Sequence, residues 1–362
     1  MKKFVLIIFL LALGTLLIAY ELGEPKLPFK PKTYAAPKID DYILIDGKLT
    51  DVEWFNAEWT DYFVDIEGDL KPEPRWKTKV KMMWNDYYFY IGAKLTERDV
   101  WGTLKYRDSV IFYDNDFEVF IDPDGDTHNY YEFEINALGT VWDLLLLHPY
   151  REGGQTAIDS WDIQSLQSAV YVDGTINDPV NSDIAWYVEL AIPWEVLGEC
   201  ATKAPPEPGD FWRVNFSRVE WEHEIVDGKY QKVEGKPEAN WVWSPQGLIN
   251  IHYPEMWGYV YFVKKLPSRD GKVQMFIPEE KAKWLLRQVY YRNYNQYQNY
   301  GNYSDDIEVL GLSDISSGIF QWPPLIETTT SGFEAILPLP NTEYNVHINN
   351  MGKTWKAPAK EK

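Results

Sequence analysis

The stretch Phe117–Asn136 reads FEVFIDPDGDTHNYYEFEIN and decides the fold. Phe117–Asp122 alternates apolar and polar residues with period two, the mark of a strand. Asp122–Gly125, DPDG, places Pro at the second turn position and Gly at the fourth, so the chain reverses. Tyr130–Asn136 returns as the partner strand, and Ala137–Gly139 turns again before Thr140–Leu147 continues the meander. Alternation assigns the faces. Phe117, Val119 and Ile121 share one, with Tyr131, Phe133 and Ile135 of the returning strand. Glu118, Phe120 and Asp122 share the other, with Tyr130, Glu132, Glu134 and Asn136.

Beyond this hairpin the strand signals repeat. Val80–Ala93, VKMMWNDYYFYIGA, is two apolar runs split by Asn85-Asp86, a hairpin. Ile184–Ile192, Phe211–Val219 and Tyr259–Val263 are further strands. Few helical patterns separate them, so the expected class is mainly β, an antiparallel β-sandwich. No repeat period suggests a propeller or solenoid. After Leu266 the period changes. Pro278 stands at a helix start with Glu279 and Glu280 in its first turn, and Gly301 suits the far end. Leu325–Thr329, Phe333–Leu337 and Tyr344–Ile348 then read as short strands. The expectation is a small C-terminal α+β unit with one long helix at about 278–300.

The N-terminus reads as targeting, not fold. Lys2 and Lys3 precede an uncharged apolar run from Phe4 to Ala19, 16 residues long. That is short of the roughly 20 a membrane-crossing helix needs, so residues 1–20 read as a signal peptide. Leu17 is large for its place before a cut at Ala19, which leaves an uncleaved anchor as the alternative. The expected location is export: periplasmic, extracellular or envelope-anchored, touching a membrane only through this segment if uncleaved. Residues 21–37, rich in Pro and Lys, read as an extended spacer. The expected units are thus 1–20, 21–37, a sandwich over 38–265 and the accessory unit over 266–362. The polar stretch Lys264–Lys272 is expected to be a linker with few contacts crossing it.

Composition excludes several functions. The chain has 362 residues, 35 basic against 55 acidic, for a net charge of −20. Nucleic acid rewards clustered Lys and Arg, so it is not an expected partner. One cysteine, Cys200, excludes a disulfide framework and a Cys-rich zinc site. Neither a phosphate-binding loop nor a nucleophile elbow occurs. The 17 tryptophans suit either a β core or a surface that stacks on sugar rings.

Candidate site residues follow from the outward face of the hairpin. It carries Glu118, Glu132 and Glu134 among aromatic rings, with Tyr130 beside them and Phe112 and Tyr113 at the rim. One reading is a solvated sheet face. The other is a ligand face, since carboxylates accept hydrogen bonds from sugar hydroxyls and rings stack on sugar C–H faces. Paired carboxylates also serve glycosidases, at separations of about 5 to 10 Å that spacing in sequence does not supply. Arg213 and Arg218 lie on opposite faces of one strand; either pairs with a buried Glu or meets a ligand's polar groups, and Arg218 joins the candidate saccharide contacts. Asp122, Asp124 and Asp126 form an acidic turn that resembles a calcium loop. The EF-hand spacing fails, because Gly125 falls too early and Phe133 stands where the last Glu belongs.

Several stretches match a known family in order over residues 40–262. They are IDGKLTDVEW (Ile45–Trp54), VKMMWNDYYFYIGAKL, DNDFEVFIDPDGDTHNYYEFEINALGTVWDLLL, WYVELAIPWEVLG, GDFWRVNFSRVEW and NWVWSPQGLINIHYPEMWGYVYF (Asn240–Phe262). Together they resemble the family 9 carbohydrate-binding modules, specifically free-standing exported family 9-like proteins. The resemblance implies a sandwich that binds saccharides without catalysis, supports carbohydrate capture or catabolism, and often carries structural calcium, with no required cofactor. It also implies departures. The family's two ligand-gripping tryptophan positions hold Phe112 and Ile251, an arginine position holds Glu134, and Glu118 is retained. The expected partner is a neutral oligo- or polysaccharide rather than a uronate, because the face is acidic. Alternatives are a glycoside-processing enzyme or its accessory domain, a haem-binding relative within the same broad superfamily, and a protein-docking subunit. The tyrosine-rich run YYRNYNQYQNYGNYSDDIEVLGL (Tyr290–Leu312) also resembles the helix-to-loop segment of pilin-like secretion subunits, and reads as packing or docking structure.

Overall fold

A computed structural model describes residues 21–266 and 277–359. The targeting segment 1–20 and most of the expected linker lie outside them. Two sheets face each other. The larger runs in the order Thr33–Pro37, Gly258–Val263, Phe211–Glu220, Asp116–Asp122, Tyr130–Asn136, Val141–Leu146, Ala157–Ile158, with Ala239–Val242 also on Phe211–Glu220 and Val64–Asp65 beyond it. The smaller runs Thr78–Trp84, Tyr88–Thr96, Ala185–Pro193, Gln167–Asp173. All these pairings are antiparallel except Thr33–Pro37 on Gly258–Val263, which is parallel. The sandwich is therefore the architecture the alternation predicts.

The core between the sheets confirms the inward faces. Phe117, Val119, Ile121, Tyr131, Phe133 and Ile135 pack with Val80, Met82, Phe89 and Ile91 of the other sheet. Each large apolar side chain so buried contributes about 1.5–3 kcal/mol. The turn after Asp122 closes as its composition demands. Gly125 takes a φ of +67°, and its N–H donates to Asp122 Oδ1 at 2.9 Å.

Residues 21–37 are not a spacer. Leu22 is buried in the second core and its N–H donates to Asn295 Oδ1 at 2.7 Å. Phe29 stacks on Trp284 with ring centroids 4.5 Å apart. Thr33–Pro37 closes the edge of the larger sheet. The prolines mislead here because Pro37 sits at a strand end, where the missing N–H costs little.

The C-terminal unit is the helix Pro278–Tyr300 on a four-stranded meander, Leu325–Thr328, Phe333–Pro338, Tyr344–Asn349 and Thr354–Pro358, with its own core. Pro278 and Gly301 stand at the helix ends as expected, Gly301 in the left-handed region with its N–H donating to Tyr297 O. The unit is not loosely tethered. Glu280 pairs with Arg213 of the sandwich, Lys283 donates to Gly125 O at 3.1 Å, and Tyr291 donates to Glu255 at 2.6 Å. These groups are buried, so many contacts cross between the units. Among the described residues no helix is long and apolar enough to cross a membrane.

Candidate functional site

Register builds the site row by row on the outward face of the larger sheet. Ser217, Glu118, Glu134 and Trp142 lie side by side across four strands. The next row is Asn215, Phe120, Glu132 and Leu144. Asp116 continues the Glu118 side one step further along its strand.

This face is not a solvated sheet surface. Asp116, Glu118, Glu132 and Glu134 are only 0%, 5%, 5% and 1% exposed. The residues that shelter them come from loops flanking the strands of this sheet. The short 3-10 turn Ile111–Tyr113 covers one side, and the Phe112 N–H donates to Glu134 Oε2 at 2.9 Å. Trp221 Nε1 donates to Phe112 O at 2.8 Å, and Lys232 Nζ sits 3.4 Å from the Trp221 ring centre. Phe112 and Tyr113 pack at 4.7 Å between centroids, with Tyr113 exposed at the rim. Ile251 and Trp142 pack against the apolar cluster of Phe120, Tyr130, Leu144, Leu146 and Trp257.

The carboxylates crowd one another. Asp116, Glu118 and Glu134 each bring an oxygen within 4.8 Å of the others. Burial pushes the Glu118 carboxyl up to about 7, with the Glu238 charge adding and the Ser217 hydroxyl opposing. Burial first, then the charge of neighbouring carboxylates, raises Asp116, Glu132 and Glu134 well above the carboxylate range. Hydrogen bonds relieve part of this. Asp116 Oδ1 accepts from Val219 N at 3.1 Å, and Glu132 hydrogen-bonds Glu134. Asp116 Oδ2 and Glu132 Oε2 have no partner.

Of the expected contacts, the structure brings Phe112, Tyr113, Glu118, Glu132 and Glu134 together, and two others fall elsewhere. Tyr130 is on the right face but sealed. Its hydroxyl shares a hydrogen bond with His252 Nδ1 at 2.9 Å and its ring meets Trp257 edge-on at 5.2 Å, so it offers no surface to a ligand. Arg218 points the other way, into the sandwich. It pairs with Glu97 and with Glu220 at 2.8 Å and donates to Thr96 O at 2.9 Å, tying the two sheets together. Strand parity forces this, since Ser217 lies opposite Glu118 and its neighbour must face inward. Arg213, on the outward side, is consumed by Glu280.

Trp142 is the ring that sequence reading missed. Its parity in Thr140–Leu147 was available, but its place beside Glu134 needed the register.

The acidic turn does gather Asp122, Asp124 and Asp126. Each already has protein partners. Asp122 accepts from Gly125 N and Thr127 N, Asp124 accepts from Asp126 N at 3.2 Å, and Asp126 pairs with Lys353 at 2.9 Å. A calcium ion there would compete with Lys353 for the same charge.

The family model described as carbohydrate family 9 binding domain-like matches residues 45–218. No curated protein matches the chain. Among solved structures, a candidate carbohydrate-binding protein from Bacteroides uniformis is 14% identical, covering 64% of this chain and 100% of that one, at a TM-score of 0.48. A carbohydrate-binding module of family 9 from Caldicellulosiruptor kristjanssonii, solved with cellotriose, is 16% identical over 69% of this chain and 100% of its own, at a TM-score of 0.42. The same module with glucose gives 16% identity over 67% of this chain and 100% of its own, also at 0.42.

Proposed function

We propose, from the premise that residues 45–218 belong to the carbohydrate family 9 binding domain-like family, that this chain binds neutral saccharides at the outward face of its larger sheet, without catalysis. One observation carries the reading. The row Ser217, Glu118, Glu134, Trp142 sets two carboxylates beside an indole, with the Phe112 turn bonded to Glu134. Carboxylates take hydroxyl hydrogen bonds, and rings take the C–H faces of a sugar. The family's tryptophan positions hold Phe112 and Ile251. Ile251 contributes only packing, so Trp142 takes over as the stacking ring, with Phe112 and Tyr113 closing the other side.

The electrostatics favour a neutral ligand. Burial first, then neighbouring carboxylates, raises Asp116, Glu132 and Glu134, so a negative charge is costly at this face and a uronate brought into contact would meet the same penalty. Read this way, the face serves capture of saccharide rather than its cleavage. Isothermal calorimetry of the full chain against neutral and uronate oligosaccharides tests this. Binding of a neutral oligosaccharide is expected, weakened about tenfold, or ~1.4 kcal/mol, by Trp142→Ala. Reducing-sugar release from the bound oligosaccharide would replace the binding reading with an enzymatic one.

A further inference from the structure

Between the sandwich and the C-terminal unit lies a cavity walled by both. Gly125 and Arg213 stand on the sandwich side, Lys283, Arg287 and Thr354 on the other. The stacked rings of Phe29 and Trp284 line it as well. No residue of the Glu118 row takes part in it.

Its charge is one-sided. Three cations, Arg213, Lys283 and Arg287, share its walls with one carboxylate, Glu255, and all four are buried. Arg213 Nε and Lys283 Nζ each lie 3.5 Å from the point where a Cβ on Gly125 would stand, so both converge on the space that the glycine leaves open. The acids that reach these cations are shared with other groups. Glu280 is divided between Arg213 and Lys283. Glu279, 3.7 Å from Lys283, also pairs with Lys356 at 2.8 Å. Glu255 accepts from Arg151 and Tyr291 and stands 3.6 Å from Arg287 Nε, beyond hydrogen-bond reach. Asp122, whose charge bears on Arg213, accepts from Gly125 N and Thr127 N.

A second observation is the set of polar atoms left unmatched on these walls. Arg213 Nε, Arg287 Nε, Arg287 Nη1 and Thr354 Oγ1 are buried without a hydrogen-bond partner. Their residues are only 2%, 1% and 1% exposed. All four atoms can donate: guanidinium nitrogens never accept, and a hydroxyl donates as readily as it accepts. Buried donors that meet no acceptor cost free energy. A water would offer them two lone pairs and bring two protons of its own, whereas an anion accepts from every side.

Size narrows the ligand. The cavity volume is about 10 Å³, room for one water-sized guest. Phosphate and sulfate are too large for it; a monatomic anion is of the right order. We infer that the cavity binds one anion of the halide class, with Arg213, Arg287 and Thr354 donating to it and Lys283 adding charge. Because the donors come from both units, the anion clamps the junction and binds only the joined state. The site is separate from the outward face and does not rest on the saccharide reading.

The test is melting of the full chain in sodium chloride, sodium bromide and sodium methanesulfonate at one ionic strength. Chloride and bromide should raise the melting temperature above that in methanesulfonate by about 2 °C or more, with the rise following single-site binding. Thr354→Val keeps the side-chain shape and removes one donor, so its half-saturating halide concentration should rise about tenfold. Bromide-soaked crystals, read by anomalous scattering, should place the ion beside Gly125 and Arg287. Should Thr354→Val fail to fold, the bromide position decides alone. Equal melting in the three salts would overturn the site. So would halide stabilisation that Thr354→Val leaves unchanged, or bromide found only at the protein surface.

Discussion

Glu118 is the residue on which the face turns. Its carboxyl is held up at about 7, against 4.5 ordinarily, chiefly by burial. The folded state therefore keeps the proton longer than the unfolded chain does. Its stabilising contribution is complete below about pH 4.5 and is lost as pH rises to about 7, on the order of 3 kcal/mol at most. In chelator, the melting temperature of the parent should fall across that window, and Glu118→Gln should flatten the fall. Parallel pH curves for the two proteins would contradict the assignment. Glu118 has no arginine partner, so the variant should fold, and it should bind a neutral oligosaccharide about 1.5–3 kcal/mol more weakly if the carboxylate accepts a charge-assisted bond. Arg218 behaves oppositely. Arg218→Ala leaves Glu97 buried without its arginine and Glu220 with Arg75 alone and should cost about 3–5 kcal/mol of stability. Calorimetry on whatever folds should show unchanged saccharide affinity, because Arg218 faces away from the site.

Among the elements, the helix Pro278–Tyr300 decides how the two cores are joined. Its first turn carries Glu280, which burial acts to raise; Arg213 and Lys283 outweigh burial and hold it at about 2. Glu255, on the sandwich side, is likewise buried and is held at about 2 by Arg151 and Arg287. A lowered carboxylate stabilises the fold above its ordinary value of 4.5 and loses that contribution as pH falls toward 2. Acid should therefore loosen the junction first, over roughly pH 4.5 to 2, and hydrogen exchange should show the helix opening before the sandwich strands. Glu280→Gln removes the carboxylate partner of buried Arg213, leaving it its carbonyl and Tyr259 contacts, and should cost about 3 kcal/mol, seen as a lower denaturation midpoint. Simultaneous exchange of helix and sandwich in acid would mean that the two cores open as one.

At the scale of the whole molecule, what was legible in the sequence was local. Period-two alternation placed Phe117, Val119 and Ile121 inside, and the Pro278 and Gly301 signals bounded the helix. What escaped was long-range. Thr33–Pro37 pairs with Gly258–Val263 from across the chain, and no local pattern announces a partner so distant. Glu118, Glu132 and Glu134 read either as a solvated face or as a ligand face, and their burial, with the turn 111–113 bonded to Glu134, needed the tertiary structure. Trp142 had the right parity, but only register sets it beside Glu134. The net charge of −20 belongs to this scale too. The most direct measurement is calorimetry of the full chain against a matched panel of neutral and uronate oligosaccharides, repeated with Trp142→Ala. The account predicts modest, weakly salt-dependent binding of a neutral oligosaccharide that drops about tenfold in the variant. Uronate preference, or tight binding untouched by Trp142→Ala and Glu118→Gln together, would contradict it.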